Sequence, residues 1–131
     1  MQVIAVIPAR YASSRLPGKP LASIRGRSLL ERVYRRAHAA QTLSRLVVAT
    51  DDGRIANHVR AFGGEVVLTS PDCPSGTDRL AEAARHLGSA DVWLNIQGDE
   101  PFIVPRQIDL LVSAFDAANP PDIATLIKRI G

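Results

Sequence analysis

The fold is decided first by the stretch QVIAVI at residues 2–7, directly after the initial methionine. Five consecutive apolar residues, four of them β-branched, are typical of a strand that is buried on both faces of a parallel sheet. The run is far too short to cross a bilayer, which takes about 20 apolar residues. Because no cationic stretch precedes the run, we expect neither a secretory leader nor a membrane partner.

Similar short strands recur along the chain, and each is followed by a segment with helical periodicity. Further strands are predicted at residues 45–50, 65–69, 91–97 and 122–130. Helices are predicted to begin at Ser28, at Asp51 or Asp52, after the loop at residues 70–76, and at Pro105. This alternation predicts a single α/β domain over residues 1–131, a three-layer, doubly wound and mainly parallel sheet.

Charge divides the chain into a basic segment, residues 1–36, and a larger acidic remainder. The basic segment carries eight basic side chains and one acid, a net charge of +7, whereas the other residues carry −4. A local cluster of cations indicates an anionic ligand. We do not expect nucleic acid, because the chain has only six aromatic residues and no interleaving of basic and aromatic side chains. The lone cysteine, Cys73, excludes an internal disulfide and fits the reducing cytoplasm.

The first of two unusual segments is PARYASSRLPGKP at residues 8–20, which follows the first predicted strand. Open parallel sheets bind ligands at the carboxyl ends of their strands. Arg10, Arg15 and Lys19 stand there among hydroxyls and small residues, which are the components of a polyphosphate site. The segment is neither a Walker A loop nor a GxGxxG fingerprint. A solvated arginine-rich loop is the plain alternative.

The second segment is QGDEP at residues 97–101, after the fourth predicted strand. If the first and fourth strands are neighbours, the two segments face each other. Mg²⁺ binds to one or two carboxylates together with phosphates and waters. Of the two acids in this segment, Asp99 is a better candidate than Glu100 to hold such a cation, because Gly98 lets the chain bend there. An ordinary turn is the alternative. A third segment, PSGTDR at residues 74–79, offers Ser75 or Thr77 as a helix cap, or amides for an anion or a base edge.

Four segments, in order along the chain, resemble the 3-deoxy-manno-octulosonate cytidylyltransferases, also called CMP-Kdo synthetases. They are IPARYASSRLPGKPL at residues 7–21, VATD at 48–51, SGTDRLAE at 75–82 and NIQGDEP at 95–101. The first is highly specific, and the resemblance extends from Val3 to Leu126. It implies the Rossmann-like fold of the nucleotide-diphospho-sugar transferases. It also implies a cytoplasmic enzyme of lipopolysaccharide biosynthesis that transfers CMP from CTP to the sugar acid Kdo and releases pyrophosphate.

The resemblance also implies roles for individual residues. Arg10, Arg15 and Lys19 would act as the catalytic cations that stabilise the triphosphate. Asp99 would bind Mg²⁺. The residues that would bind CTP are Pro8, Ala9, Arg10, Ser14, Lys19, Ser75, Gly76, Arg79 and Gln97.

Members of the resembled family are longer than this chain. In them the additional part supplies most Kdo contacts, a second magnesium carboxylate and the dimer interface. We therefore expect a CTP-binding N-terminal half, which turns over poorly by itself and belongs to a homodimer at full length. One alternative is an acylneuraminate cytidylyltransferase, although its loop typically has Gly-Gly-Ser where Tyr11-Ala12-Ser13 stands here. The other is a non-catalytic CTP-binding module.

Overall fold

The computed structural model describes residues 2–11, 19–21, 23–24, 26–98, 103–114 and 123–126, with the backbone alone at residues 19, 23–24 and 123–126. The strands in these ranges are β1 Val3–Pro8, β2 Ser23–Ile24, β3 Arg27–Ser28, β4 Arg45–Thr50, β5 Glu65–Leu68, β6 Val92–Ile96 and β7 Ile123–Leu126. The α-helices are α1 Leu29–His38, α2 Gly53–Ala61, α3 Gly76–Leu87 and α4 Pro105–Ser113, and Lys19–Leu21 forms a 3₁₀ turn. None of these helices is long and apolar enough to cross a membrane.

Five strands form one sheet in the order β5-β4-β1-β6-β7, and each of the four pairings is parallel. From central β1 the chain moves outward to β4 and β5, and then crosses to β6 on the other side of β1. The direction of strand addition therefore reverses between β1 and β6. In sheets of this kind the ligand crevice opens at the reversal point. The predicted parallel sheet is confirmed, and its first and fourth predicted strands are neighbours.

Apolar side chains on the two faces of the sheet build two separate cores. On one face, Val3 and Ile7 of β1 pack with the apolar stripes of α1, α2 and α4. On the other face, Ile4 packs with Leu80 of α3. This division follows from the period of two in a strand, which sends successive side chains to opposite faces. Helices therefore cover both faces, as the doubly wound prediction requires.

The helices begin at capping residues of the kind that the sequence favours. Ser28 and Ser75 each accept a hydrogen bond from the amide three residues on, at 3.0 and 3.1 Å. Asp52 caps α2 in the same manner, and α4 begins at Pro105 without a side-chain cap. The sequence left two candidate caps for each of α2 and α3. The structure shows that Asp52, and not Asp51, caps α2 and that Ser75, and not Thr77, caps α3. The Ser28 hydroxyl also lies 2.6 Å from His58 Nε2, which ties the start of α1 to α2.

The sequence predicts no strand before residue 28 other than the first, and that prediction is incomplete. Strands β2 and β3 pair antiparallel around Gly26, whose φ is +85°. Two-residue strands are too short to carry a period of two, so the sequence has no signal for them. The predicted fifth strand at residues 122–130 is observed as β7, and residues 127–131 lie outside the described ranges.

Candidate functional site

The carboxyl ends of β1 and β6 and the first residue of α3 meet at one place. A Cβ placed on Gly76 would lie 3.4 Å from Pro8 Cγ and 3.8 Å from Asn95 Nδ2. A Cβ placed on Gly98 would lie only 3.0 Å from the carbonyl oxygen of Pro8. Pro8, Gly76, Asn95 and Gly98 are called the Pro8 crevice below. The crevice lies at the reversal point of the sheet, where the topology predicts a ligand.

The chain leaves β1 at this crevice, where the PARYASSRLPGKP segment of residues 8–20 begins. Ala9 is buried, and its amide donates to the carbonyl of Ala49 at 2.9 Å, so the strand pairing extends one residue beyond β1. Arg10 follows and is exposed. The guanidinium carbon of Arg54, in the first turn of α2, lies 3.3 Å from the ring centroid of Tyr11. This cation–π contact places a further cation beside the start of the basic segment.

The structure brings six of the predicted CTP-binding residues to this edge of the sheet. They are Pro8, Ala9, Arg10, Ser75, Gly76 and Gln97. Gln97 is exposed directly after β6. The Ser75 hydroxyl donates to the Asp78 carboxylate at 2.6 Å besides capping α3. The nucleotide contacts of these residues stay predictions.

The side chains of four other predicted site residues are not among those that the structure describes. Ser14, Arg15 and Asp99 lie outside the described residues, and only the backbone of Lys19 is described, at the start of the 3₁₀ turn. Their roles in binding the triphosphate and Mg²⁺ therefore stay predictions from the sequence.

The side chain of Arg79 is enclosed by the protein. It is 2% exposed, and its Nη1 atom donates to Thr69 Oγ1 at 2.6 Å and to the carbonyl oxygen of Ser70 at 3.2 Å. The Asp51 carboxylate lies 3.6 Å from the same nitrogen. The resemblance implies that Arg79 contacts CTP, and this contact stays a prediction. In the structure its guanidinium lies among oxygens from the ends of β4 and β5.

Electrostatics at the start of α2 are set by Asp52. Its carboxylate accepts a hydrogen bond from the Arg54 side chain at 2.7 Å and from the Arg54 amide at 2.8 Å. The guanidinium is the largest cause that lowers the pKa of Asp52, to about 2, and the amides of Arg54 and Ile55 lower it further against the effect of burial. The same Arg54 stacks on Tyr11, so this charge pair borders the basic segment.

We expect the Asp52 charge to stabilise the fold only above acidic pH. A carboxylate with a lowered folded pKa contributes its stability above its ordinary pKa, near 4, and loses it as the pH falls toward about 2. Asp52→Asn keeps a good cap but removes the charge, so it should cost about 0.2–1 kcal/mol at pH 7. Urea unfolding between pH 2 and 7 measures this difference, which should vanish toward pH 2. A difference of constant size across the range would contradict the assignment.

A metal site in this part of the chain depends on Asp99. Within the described ranges, no group of three or more His, Cys, Asp or Glu side chains lies close enough together to hold a metal ion. Magnesium needs only one or two carboxylates when phosphates and waters complete its shell. The contact between Gly98 and Pro8 brings the chain to the end of β1 immediately before residue 99. Asp99 itself lies outside the described residues, so magnesium binding through it stays a prediction.

Asn95 also lies at the Pro8 crevice, and the sequence interpretation assigned it no role. It is 6% exposed and stands in β6 among apolar neighbours, with its amide nitrogen close to Gly76. An amide side chain in an otherwise apolar strand was the available signal, since buried polar groups need a specific partner.

Comparisons with known proteins identify the family to which the chain is similar. A family model described as cytidylyltransferase matches residues 4–131. The 3-deoxy-manno-octulosonate cytidylyltransferase of Porphyromonas gingivalis is 57% identical over 97% of this chain and 49% of its own length. The 8-amino-3,8-dideoxy-manno-octulosonate cytidylyltransferase of a Shewanella species is 52% identical over 88% of the chain and 48% of its own length.

A solved structure extends the likeness to three dimensions. The structure of CMP:2-keto-3-deoxy-manno-octonic acid synthetase complexed with CTP superposes with a TM-score of 0.85 at 46% identity, over 88% of this chain and 48% of that one. The predicted nucleotidyltransferase fold is thereby confirmed. The chain spans about half the length of the curated relatives it matches. With the family model matching nearly all of its residues, the chain belongs to the cytidylyltransferase family.

Proposed function

We propose that this chain binds CTP in the Pro8 crevice as the nucleotide-binding part of a 3-deoxy-manno-octulosonate cytidylyltransferase. The observation that carries the proposal is the convergence of Pro8, Gly76 and Gly98 at the reversal point of the sheet, where the segment of residues 8–20 begins. The likeness to a synthetase complexed with CTP supports the same ligand.

The proposed reaction transfers CMP from CTP to Kdo. The anomeric hydroxyl oxygen of Kdo forms a bond to the α-phosphorus, while the bond from that phosphorus to the oxygen of the β-phosphate breaks. Pyrophosphate leaves, and the hydroxyl loses its proton. An in-line displacement of this kind depends mostly on alignment of the reactants and on neutralisation of phosphate charge.

The chain contributes both alignment and charge to this reaction. Arg10, Arg15 and Lys19 are proposed to bind the triphosphate oxygens, because cationic hydrogen-bond donors form the stronger contacts with phosphate. The residues proposed to hold the rest of the nucleotide are Pro8, Ala9, Ser14, Ser75, Gly76 and Gln97. The lack of a side chain at Gly76 leaves the face of Pro8 open beside the amides of α3.

Magnesium is proposed to join the site through Asp99 and the phosphates of CTP. When bound, it supplies positive charge that neutralises the phosphates and orients them. The approach of Gly98 to the end of β1 supports this position, because Asp99 is the next residue along the chain.

The setting of the enzyme is proposed from the same family. The whole protein would be a homodimer that acts in the cytoplasm and activates Kdo for lipopolysaccharide biosynthesis. The lone Cys73 supports a reducing compartment.

Calorimetric titration of the chain with CTP, UTP and ATP, with and without Mg²⁺, tests the binding proposal. We expect CTP to bind about tenfold or more tightly than UTP, because a site that hydrogen-bonds the cytosine amino group leaves buried partners unpaired with uracil. Mg²⁺ should tighten CTP binding. Equal affinities for the three nucleotides would overturn the proposal, and so would the absence of binding to any of them.

The sugar acid requires a separate measurement. The chain is joined to the part of the Porphyromonas relative that it does not span, and pyrophosphate release is followed with Kdo, its 8-amino analogue and N-acetylneuraminate. Fastest release with Kdo is the expected result. Fastest release with N-acetylneuraminate would favour an acylneuraminate cytidylyltransferase, and CTP binding without any release would favour a non-catalytic module.

A further inference from the structure

Two side chains of helix α3 bind the backbone of one residue in the preceding loop, one through its carbonyl oxygen and the other through its amide. Arg79 Nη1 donates to the carbonyl oxygen of Ser70 at 3.2 Å, and the Glu82 carboxylate accepts from the amide of Ser70 at 2.6 Å. Residues three apart lie on the same helix face, so both side chains reach the loop together. Arg79, Glu82 and Ser70 are called the Ser70 clamp below.

The basic arm of the clamp lies inside the protein. Arg79 is 2% exposed and also bonds Thr69 Oγ1 at 2.6 Å, with Asp51 Oδ1 at 3.6 Å. A buried charge is tolerated only where several oxygens surround it in good geometry. The guanidinium therefore connects α3 to the ends of β4 and β5 in one arrangement.

The acidic arm of the clamp is bound just as specifically. The amide of Ser70 is the largest cause that lowers the pKa of Glu82, against burial, and the Cys73 thiol lies 3.5 Å from the same carboxylate. Burial raises the pKa of the Cys73 thiol, so the cysteine stays a neutral hydrogen-bond donor near pH 7. Glu82 thus holds the loop at two points, the amide of Ser70 and the thiol of Cys73.

The held loop leads directly into the Pro8 crevice. Residues 71–74 connect Ser70 to Ser75, which caps α3, and Gly76 then lies against Pro8 and Asn95. A shift of the loop would therefore move the start of α3 relative to the end of β1. Misplacement of binding groups by about 1 Å can cost about a hundredfold in the rate of a reaction.

We infer that Arg79 and Glu82 are positioning residues that hold the N terminus of α3 against Pro8 in the geometry that binds nucleotide. Arg79 acts through Ser70 and Thr69, without contact to the ligand. The inference rests on the proposed function in one respect, which is that the nucleotide is CTP.

The test compares clamp variants by hydrogen exchange and by CTP titration. Arg79→Met and Glu82→Leu should raise amide exchange over residues 70–78 by about tenfold or more, and weaken CTP binding by a similar factor. Arg79→Lys retains a hydrogen-bond donor and Glu82→Gln retains an acceptor, so each should show smaller changes in amide exchange and in CTP affinity.

Arg85→Met is the matched control, because Arg85 is exposed on the same helix. Exchange in β1 should stay unchanged in every variant.

Because Arg79 and Glu82 hold the same residue, Ser70, the double variant should lose little more CTP affinity than either single variant. Weaker CTP binding in Arg79→Met with unchanged exchange over residues 70–78 would overturn the inference in favour of direct nucleotide contact. Faster exchange with unchanged CTP affinity would overturn it as well. If Arg79→Met does not fold, Arg79→Lys and Glu82→Gln decide by the same criteria. If the unaltered chain binds no CTP, the proposed function fails, and the exchange data alone decide whether the clamp holds α3.

Discussion

Gly98→Val is expected to weaken CTP binding by about a hundredfold, the loss that a misplacement of about 1 Å can cause in the rate of a reaction. A Cβ on Gly98 would lie 3.0 Å from the Pro8 carbonyl oxygen and 3.4 Å from Ile7 Cγ2. The carbonyl is backbone, so it can give way only if the ends of β1 and β6 separate. The extra methyl groups should also destabilise the fold by about 1–3 kcal/mol. The described glycines with positive φ do not include Gly98, so steric contact alone is tested.

The measurement is CTP titration together with urea unfolding of Gly98→Val and Gly98→Ala. Alanine needs a smaller displacement and should show an intermediate loss. Gly53→Ala is the matched control, because a Cβ at that exposed position meets no atom within 4 Å. It should leave CTP affinity unchanged. An unchanged affinity in Gly98→Val would mean that the crevice at Pro8 does not bind the nucleotide.

Removal of two cations from the basic segment is the second large expected effect. Arg10→Gln and Lys19→Gln should each weaken CTP binding by about tenfold or more, and the double variant by about a hundredfold, because a hydrogen bond to a charged group contributes about 1.5–3 kcal/mol. The dependence of affinity on salt should also decrease, since fewer ionic contacts are then screened. Titrations at low and high salt measure both quantities.

Arg35→Gln separates local binding from overall charge. Arg35 belongs to the same basic segment but lies in the last turn of α1, where it pairs with Glu31 at 2.7 Å. Its neutralisation removes the same unit of charge and should leave CTP affinity nearly unchanged. An equal loss in Arg35→Gln would show that CTP responds to the net charge of residues 1–36 and not to a built site.

The strands and helices were predictable because each carries a strong local signal. The apolar run at residues 3–7, the cap at Ser28 and the proline at Pro105 act within a few neighbours, so the sequence contains them completely. Strands β2 and β3 have no such signal, because two residues cannot form a period. They exist through their pairing around Gly26.

The site was predictable in its location but not in the role of each residue. Polar segments at strand ends, combined with the parallel topology, indicate the edge at which Pro8, Gly76 and Gln97 are found. Arg79 belongs to one of these segments and resembles a ligand-binding arginine in sequence. Its enclosure depends on Thr69 and Asp51, which approach it from other elements of the fold.

By itself, the sequence determined the order of the helices and the five strands of the main sheet, the concentration of positive charge in residues 1–36 and the motifs that identify the family, because each is a property of neighbours along the chain. Only the tertiary structure decided that Gly98 abuts the carbonyl of Pro8 and that Arg79 is buried among oxygens from β4 and β5. The physical reason is that close approach and burial depend on atoms far apart in sequence, whose distances are set only when the sheet and its helices pack together.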